Sequence, residues 1–428
     1  MKKYLVSGFL FCIILSSCSI SQKINRRAKE YVLNNEALTN AHTGISIYEP
    51  ATGKFWYNSQ GEKYFVPASN TKLATCYAAM KYLGDSLAGM HYNIINDSTI
   101  AIKGAADPSF LHPDFKQQPV FHFLQKFKFI KIIPSSFKDY LGNGWSWGDY
   151  LEDYMAQRSA LPIYGNVVRI DWLNDTTVDI IPPFFKINSS LTKDLLNGFR
   201  VEKPWDTNAF TFLPGIQKSA DVPFTPDEKT LQNLLQDTIG VPVEMISNYG
   251  GKTEKIIHSQ PTDSLLKIMM HRSDNFFAEQ SLLMVSNVLL GKLDDRKIID
   301  TLLKSDYKSL PQPPSWVDGS GLSRYDLFSP KDFVFILNKM KDEFGMERIK
   351  NILPTGGTGT ISTYYLRDSG YIFVKTGTLN GVVALSGFLY TRKNKLLIFS
   401  ILVNNHHSSA TSIRRAIEKL LQNVRSKN

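Results

Sequence analysis

Ser69 and Lys72 lie three residues apart in Pro67-Ala68-Ser69-Asn70-Thr71-Lys72-Leu73. Leu73, Cys76, Tyr77, Met80 and Leu83 recur at helical spacing after Pro67, and Gly84 follows as a stop. That pattern predicts one amphipathic helix with a buried stripe and Ser69 in its first turn. Residues three apart share a helix face, so the Lys72 amine can reach the Ser69 hydroxyl. A serine hydroxyl becomes an effective nucleophile when a base sits within hydrogen-bond reach, and lysine is a base only when neutral. The positive end of the helix dipole, burial or a neighbouring cation each pushes the amine that way. Ser-X-X-Lys alone decides little, because it recurs at Ser135/Lys138, Ser190/Lys193, Ser264/Lys267 and Ser305/Lys308. A helix N-cap followed by a solvated lysine is the other reading of Ser69.

Two further clusters carry groups that suit the same chemistry. Ser273-Asp274-Asn275 joins a helix beginning at Thr262-Asp263-Ser264 to a second apolar helix running through Leu290. Ser, Asp and Asn are preferred helix caps, and a hydroxyl and an amide two residues apart at such a junction can also project into a cleft. There the hydroxyl can relay a proton and the amide can bind a peptide group. Lys375-Thr376-Gly377-Thr378 ends a strand that starts at Tyr371. A cation and two hydroxyls suit a ligand carboxylate, and Gly377 admits a substrate backbone. The backbone N–H groups of Ser69 and Thr378 can pair as an oxyanion hole. An exposed strand end with a turn glycine is the alternative there.

The 428 residues are 43% hydrophobic and 21% charged, enough for a sizeable core in two domains or in one domain with a large insertion. A formal net charge of +10 fits a solvated surface or proximity to anionic envelope polymers. No basic-aromatic motif accompanies it, so nucleic acid is not expected as a partner. Met1-Lys2-Lys3 and the apolar run Tyr4 to Leu15 read as a secretory signal, too short for a stable membrane span. The run ends in Leu15-Ser16-Ser17-Cys18, which resembles a bacterial lipoprotein box and implies a signal peptide over 1–17 and a lipid on Cys18. Of the three cysteines, Cys12 lies in the signal and only Cys76 would remain a thiol, reading as a small buried hydrophobe. The eight histidines contain no His-Glu-X-X-His, and no Gly-X-Ser-X-Gly elbow occurs, so neither a metal, another cofactor nor a Ser-His-Asp triad is expected.

Strand patterns occur near both termini: Ile45 to Tyr57 as a hairpin, then Tyr371 to Lys375, Val382 to Tyr390 and Leu396 to Val403. A closing amphipathic helix spans Ser408 to Val424. The prediction is an α+β fold whose antiparallel sheet is assembled from both ends of the chain. Between 86 and 255, short alternating segments such as Thr99 to Lys103 and Asn166 to Trp172 are punctuated by prolines and glycines, which suggests a strand-rich inserted lobe.

Ser-X-X-Lys, Ser-Asp-Asn and Lys-Thr-Gly in this order form the established signature of penicillin-binding proteins and class A β-lactamases. The chain therefore resembles the penicillin-recognising serine acyltransferase superfamily, over about residues 40–85 and 255–425. Asp318-Gly319-Ser320-Gly321-Leu322-Ser323-Arg324, Leu353-Pro354-Thr355-Gly356-Gly357 and Gly104-Ala105-Ala106-Asp107-Pro108-Ser109 are similar to stretches of the class C low-molecular-mass penicillin-binding proteins, the D-alanyl-D-alanine carboxypeptidase/endopeptidase family. Trp145-Ser146-Trp147-Gly148-Asp149 and Ser159-Ala160-Leu161 resemble that family too; Ala105-Ala106 departs from its usual glycines.

The resemblance implies a five-stranded antiparallel sheet flanked by helices, of the β-lactamase/transpeptidase kind. It implies a catalytic domain over 40–85 and 256–428, an accessory lobe over 86–255, and a lipidated tether with a first helix over 18–39. It assigns Ser69, Lys72 and Ser273 to catalysis, and Asn275, Lys375, Thr376, Gly377 and Thr378 to substrate binding. The implied substrates are peptidoglycan stem peptides, with β-lactams as inhibitors, in a protein held to a membrane on the periplasmic side of a bacterial envelope. A serine β-lactamase is one alternative, though no Glu-X-X-Leu-Asn segment of the class A kind is present. A catalytically inert cell-wall-binding lipoprotein is another.

Overall fold

A computed structural model describes residues 19–174, 177–191, 200–213, 219–246, 249–251 and 255–428. The signal segment and Cys18 lie outside the described residues. Five strands build the main sheet: β1 (His42–Glu49), β2 (Lys54–Ser59), β3 (Ile372–Leu379), β4 (Val382–Tyr390) and β5 (Leu396–Asn404), in the order β3-β4-β5-β1-β2. Every neighbour is antiparallel, and β1 from the beginning of the chain pairs with β5 from its end, Ile45 opposite Ile401. The α+β architecture is the one expected.

Alternate residues of these strands serve two cores, because successive side chains point to opposite faces. Ile398 and Leu402 join the larger core, while Phe399, Ile401 and Val403 join a second one. The larger core is filled by α2 (Lys72–Tyr82), α3 (Thr262–Ile268), α4 (Asn275–Leu290) and α5 (Pro330–Ile352). On the other face lie α1 (Ser19–Ala28) and α6 (Ala410–Lys427). Ile24, Ala28, Val32 and Leu38 are buried there, so the segment read as a tether is part of the packed fold from Ile24 onward.

The middle of the chain forms a separate core with strands of its own. A five-stranded mixed sheet takes Val243–Met245, Phe129–Ile132, Thr99–Gly104, Ser86–Asn96 and Lys255–Pro261 in that order. Its last strand runs across the boundary read at 255/256. A smaller sheet pairs Val167–Asn174 with Thr177–Ile181 and Ser219–Pro223. Ala106 takes a left-handed φ of 65°, which explains why glycine would suit a position where this chain has alanine. Among the described residues, no helix is long and apolar enough to cross a membrane.

Candidate active site

The chain enters the site along Phe65 and Val66, which are pinned by Phe328 O (2.9 Å) and Asn404 Oδ1 (2.8 Å). Ala68 then adopts a positive φ of 48° and the chain tightens into a 3₁₀ turn over Ala68–Thr71, with α2 beginning at Lys72. Ser69 thus sits in the turn ahead of the helix and not inside its first α-turn. The Asn70 amide anchors this turn to the sheet, donating to Ser386 Oγ at 2.7 Å. The expected amphipathic stripe is absent, because every residue of α2 from Lys72 to Met80 is buried against α3, α4, α5 and the main core. Polar residues on this helix therefore need buried partners, and Thr75 finds one in Gly319 O at 2.6 Å.

Lys72 is wholly buried and its Nζ has three partners: Ser69 Oγ at 2.9 Å, Asn275 Oδ1 at 2.6 Å and Ser320 O at 2.7 Å. The Asn275 amide nitrogen is committed to Tyr154 O at 2.9 Å, which turns its oxygen toward Lys72. Asn275 Oδ1 and Ser320 O are acceptors only, so they take two hydrogens of a neutral amine. With those two hydrogens committed, a neutral Lys72 has its lone pair left to accept the proton of Ser69 Oγ, 2.9 Å away. Burial lowers the Lys72 pKa to about 8, against the opposing pull of Asp318, Asp274, Glu279 and Asp326. The neutralising cause is desolvation; the nearby charges on Lys72 act in the other direction.

Ser273 has a positive φ of 64°, Asp274 caps α4 by accepting from Phe277 N at 2.8 Å, and Asn275 begins the helix. The cap and the two site groups therefore coexist in three consecutive residues. Lys375 Nζ donates to Ser273 Oγ at 2.8 Å and to Thr376 O at 2.7 Å. Burial first, and then the charge of Lys72, push the Lys375 amine well below its ordinary range. Both amines are buried, whereas Ser69, Ser273 and Asn275 are partly exposed above them.

Lys375 to Thr378 were expected to end their strand; instead they lie inside β3, which continues to Leu379 at the edge of the sheet. On the outer side of β3, Val374 N donates to Pro354 O at 3.0 Å. Strand geometry repeats every two residues, so the N–H of Thr378 points to that same outer edge. A Cβ placed on Gly377 would lie 2.7 Å from Pro67 O and 3.1 Å from Ser69 N, so glycine lets β3 run directly against the serine turn. Thr376 Oγ1 donates to Thr360 Oγ1 at 2.8 Å, and Thr378 Oγ1 accepts from the Arg414 guanidinium of α6. The structure thus brings Ser69, Lys72, Ser273, Asn275, Lys375 and Gly377 to one place from three distant stretches.

The sequence pattern of the D-Ala-D-Ala carboxypeptidase 3 (S13) family matches residues 25–180 and 249–424. The chain belongs to this family. Among its relatives, "Penicillin-sensitive carboxypeptidase A" of Dictyostelium discoideum is 23% identical, with 98% of each chain covered. "Carboxypeptidase DacB" of Mycolicibacterium smegmatis is 29% identical over 41% of this chain and 40% of its own. Among solved structures, penicillin binding protein 4 (dacB) from Haemophilus influenzae has a similar fold, with a TM-score of 0.73 at 19% identity over 94% of this chain and 98% of that one. A predatory endopeptidase from Bdellovibrio bacteriovorus matches at a TM-score of 0.52 and 15% identity, over 89% and 94%.

In this S13 chain the site rests on a buried charge network that motif reading missed. Glu279 accepts from Ser320 N at 2.8 Å, the residue whose carbonyl holds Lys72. Arg158, from the middle of the chain and almost wholly buried, meets Glu279 at 3.3 Å and Asp295 at 2.6 Å and also donates to Asp139 O and Leu141 O. Asp318 accepts from Gly321 N at 2.6 Å, Ser323 N at 2.7 Å and Trp145 Nε1 at 3.0 Å. Burial and the charge of Asp318 raise Glu279 to about 7 while Arg158 draws it back. Asp326 is pushed well up by burial and then by Asp318. A Cβ on Gly321 would lie 1.9 Å from Ala68 O, so the 318–324 segment packs directly under the serine turn.

Proposed function

We propose that this chain is a serine D-Ala-D-Ala carboxypeptidase/endopeptidase of peptidoglycan stem peptides, working through an acyl-enzyme on Ser69. The carrying observation is the Ser69 hydroxyl bonded to Lys72, whose other two partners are limited to acceptors. Neutral Lys72 takes the Ser69 proton as Oγ attacks the carbonyl of the penultimate D-alanine. The N–H groups of Ser69 and Thr378 hold the oxyanion. Ser273, held by Lys375, passes a proton to the departing amine.

Asn275 binds the substrate amide, and Lys375, Thr376 and Thr378 face the terminal carboxylate. A substrate carboxylate restores to Lys375 the counter-charge that its burial lacks. The substrate backbone runs along the outer edge of β3 as an added strand. Water then cleaves the ester and regenerates Ser69.

β-Lactams act as inhibitors by acylating Ser69, a reading supported by the Haemophilus influenzae protein having been solved in complex with a β-lactam. The protein works in the bacterial cell envelope, where this substrate lies, and Cys18 carries a lipid that tethers it to a membrane. Residues 24–85 and 262–428 form the catalytic unit and the segment between them an accessory lobe, which reaches the site through Tyr154 O and Arg158.

Purified stem pentapeptides and cross-linked muropeptide dimers test the activity by mass spectrometry. Loss of one D-alanine from the former, or conversion of the latter to monomers, is expected, and both disappear in Ser69→Ala and after penicillin. Unchanged substrates after prolonged incubation with the wild type would overturn the assignment.

A further inference from the structure

The stretch Trp145-Ser146-Trp147-Gly148-Asp149 divides its two indoles between different tasks. Trp145 is committed to the interior, donating from Nε1 to Asp318 at 3.0 Å beneath the serine turn. Trp147 leaves 66% of its surface open to solvent, yet it is held in place. The Trp205 ring lies 4.6 Å from it and the Tyr150 ring 5.7 Å, and those two meet edge-on at 5.3 Å. The Tyr150 hydroxyl donates to Lys203 O at 2.9 Å. Lys203 is itself buried, and its amine donates to Pro204 O and Thr207 O, both at 3.0 Å, which fixes the loop that carries Trp205. Aromatic rings held together at a surface leave apolar area uncovered, and such patches mark places where something binds.

The chemistry around the rings narrows what that is. Asp149 and Glu152 lie on the same segment as Trp147, Asp206 follows Trp205, and residues 145–155 contain no lysine or arginine. Acidic surroundings of this kind repel the anionic headgroups of a membrane surface. They suit a neutral sugar chain, whose hydroxyls donate to carboxylates while the C–H face of a pyranose packs on an aromatic ring. The patch is also continuous with the active site, because Tyr154 gives its carbonyl to Asn275 at 2.9 Å and its ring hydroxyl lies beside Asp149.

We propose that Trp147, Tyr150 and Trp205 form a platform for the glycan strand that carries the acyl stem, a sugar ring stacking on the indoles while Asp149 and Glu152 accept from its hydroxyls. The proposal rests on the acyl-transfer reading of Ser69 and concerns the polysaccharide part of the substrate, not its peptide. Lys375, Thr376 and Thr378 take the leaving end, so the acyl stem runs the other way, from Asn275 past Tyr154. A stem pentapeptide has three residues ahead of its penultimate D-alanine, about 10 Å of extended chain between the nucleophile and the sugar. The platform touches no reacting atom; it keeps stems near Ser69 by holding the polymer to which they are joined.

The full-length protein tests this with glycan chains stripped of their peptides by an amidase, with stem pentapeptide either free or joined to such chains, and with penicillin. By calorimetric titration the stripped chains bind the wild type, and bind Trp147→Ala about tenfold more weakly. In the same variant kcat/KM for the glycan-linked pentapeptide falls about tenfold, mainly through KM, while D-alanine release from the free pentapeptide and acylation by penicillin stay within about twofold. Trp147→Tyr, which keeps a ring, recovers most of the loss, and Trp205→Ala repeats it and covers the case in which the first variant folds poorly. Equal losses on free and glycan-linked pentapeptide, or stripped chains that bind wild type and both alanine variants alike, overturn the platform. A wild type that acylates with penicillin but binds no stripped chains removes the platform, leaves the rings to a protein partner and keeps the Ser69 chemistry. One that binds the chains but is not acylated keeps the platform and removes that chemistry.

Discussion

Acylation of Ser69 should titrate with Lys72. The amine acts as base only when neutral, and burial brings its pKa from 10.5 to about 8. The sign follows: the active form grows as pH rises through 8 and is lost as pH falls below it. The neutral fraction is about 0.9 at pH 9, about 0.1 at pH 7 and about 0.01 at pH 6, a fall of roughly ninetyfold across three pH units. A lysine at 10.5 would be only about 3% neutral at pH 9, and its profile would still be climbing there. Stopped-flow acylation by a fluorescent penicillin well below saturation reads the second-order rate constant, which reports ionisations of the free enzyme. That constant should rise with the neutral form of Lys72, with its midpoint near 8. A rate that is flat from pH 6 to 9, or a midpoint left near 10.5, would refute the assignment of Lys72 as general base.

Two further substitutions separate placement from stability. Gly377→Ala puts a Cβ 2.7 Å from Pro67 O and displaces the serine turn, so acylation should slow by about a hundredfold with little change in Tm. A rate within threefold of wild type would mean that β3 and the turn are less tightly fitted than their geometry indicates. Arg158→Met strands Glu279 and Asp295 in the interior without their cation, a loss of about 3–5 kcal/mol in a urea titration. A midpoint that does not move would show that the network contributes no net stability.

The parts of the site legible in the sequence are those whose chemistry and position are local. Ser69 and Lys72 are one turn apart, Ser273 and Asn275 flank a cap, and Lys375 to Thr378 are contiguous, so spacing alone sets out each cluster. The sheet was legible for a similar reason, since β4 and β5 are apolar enough to declare themselves. The end of β3 was not, because the strand stays paired with β4 through Leu379 after its apolar run has stopped at Val374. The helix carrying Lys72 differed from its expected amphipathic stripe because its polar residues Lys72 and Thr75 are satisfied inside the protein. The carbonyl of Ser320 and the Arg158–Glu279 contact escaped notice because backbone acceptors leave no mark in sequence and their partners lie 248 and 121 residues away.

Intact-protein mass spectrometry after incubation with penicillin tests the central claim most directly. The account predicts one adduct of the antibiotic's full mass, mapping to the peptide that contains Ser69, absent in Ser69→Ala and slow to form in Lys72→Ala. An adduct that persists in Ser69→Ala, or maps to another residue, would contradict it.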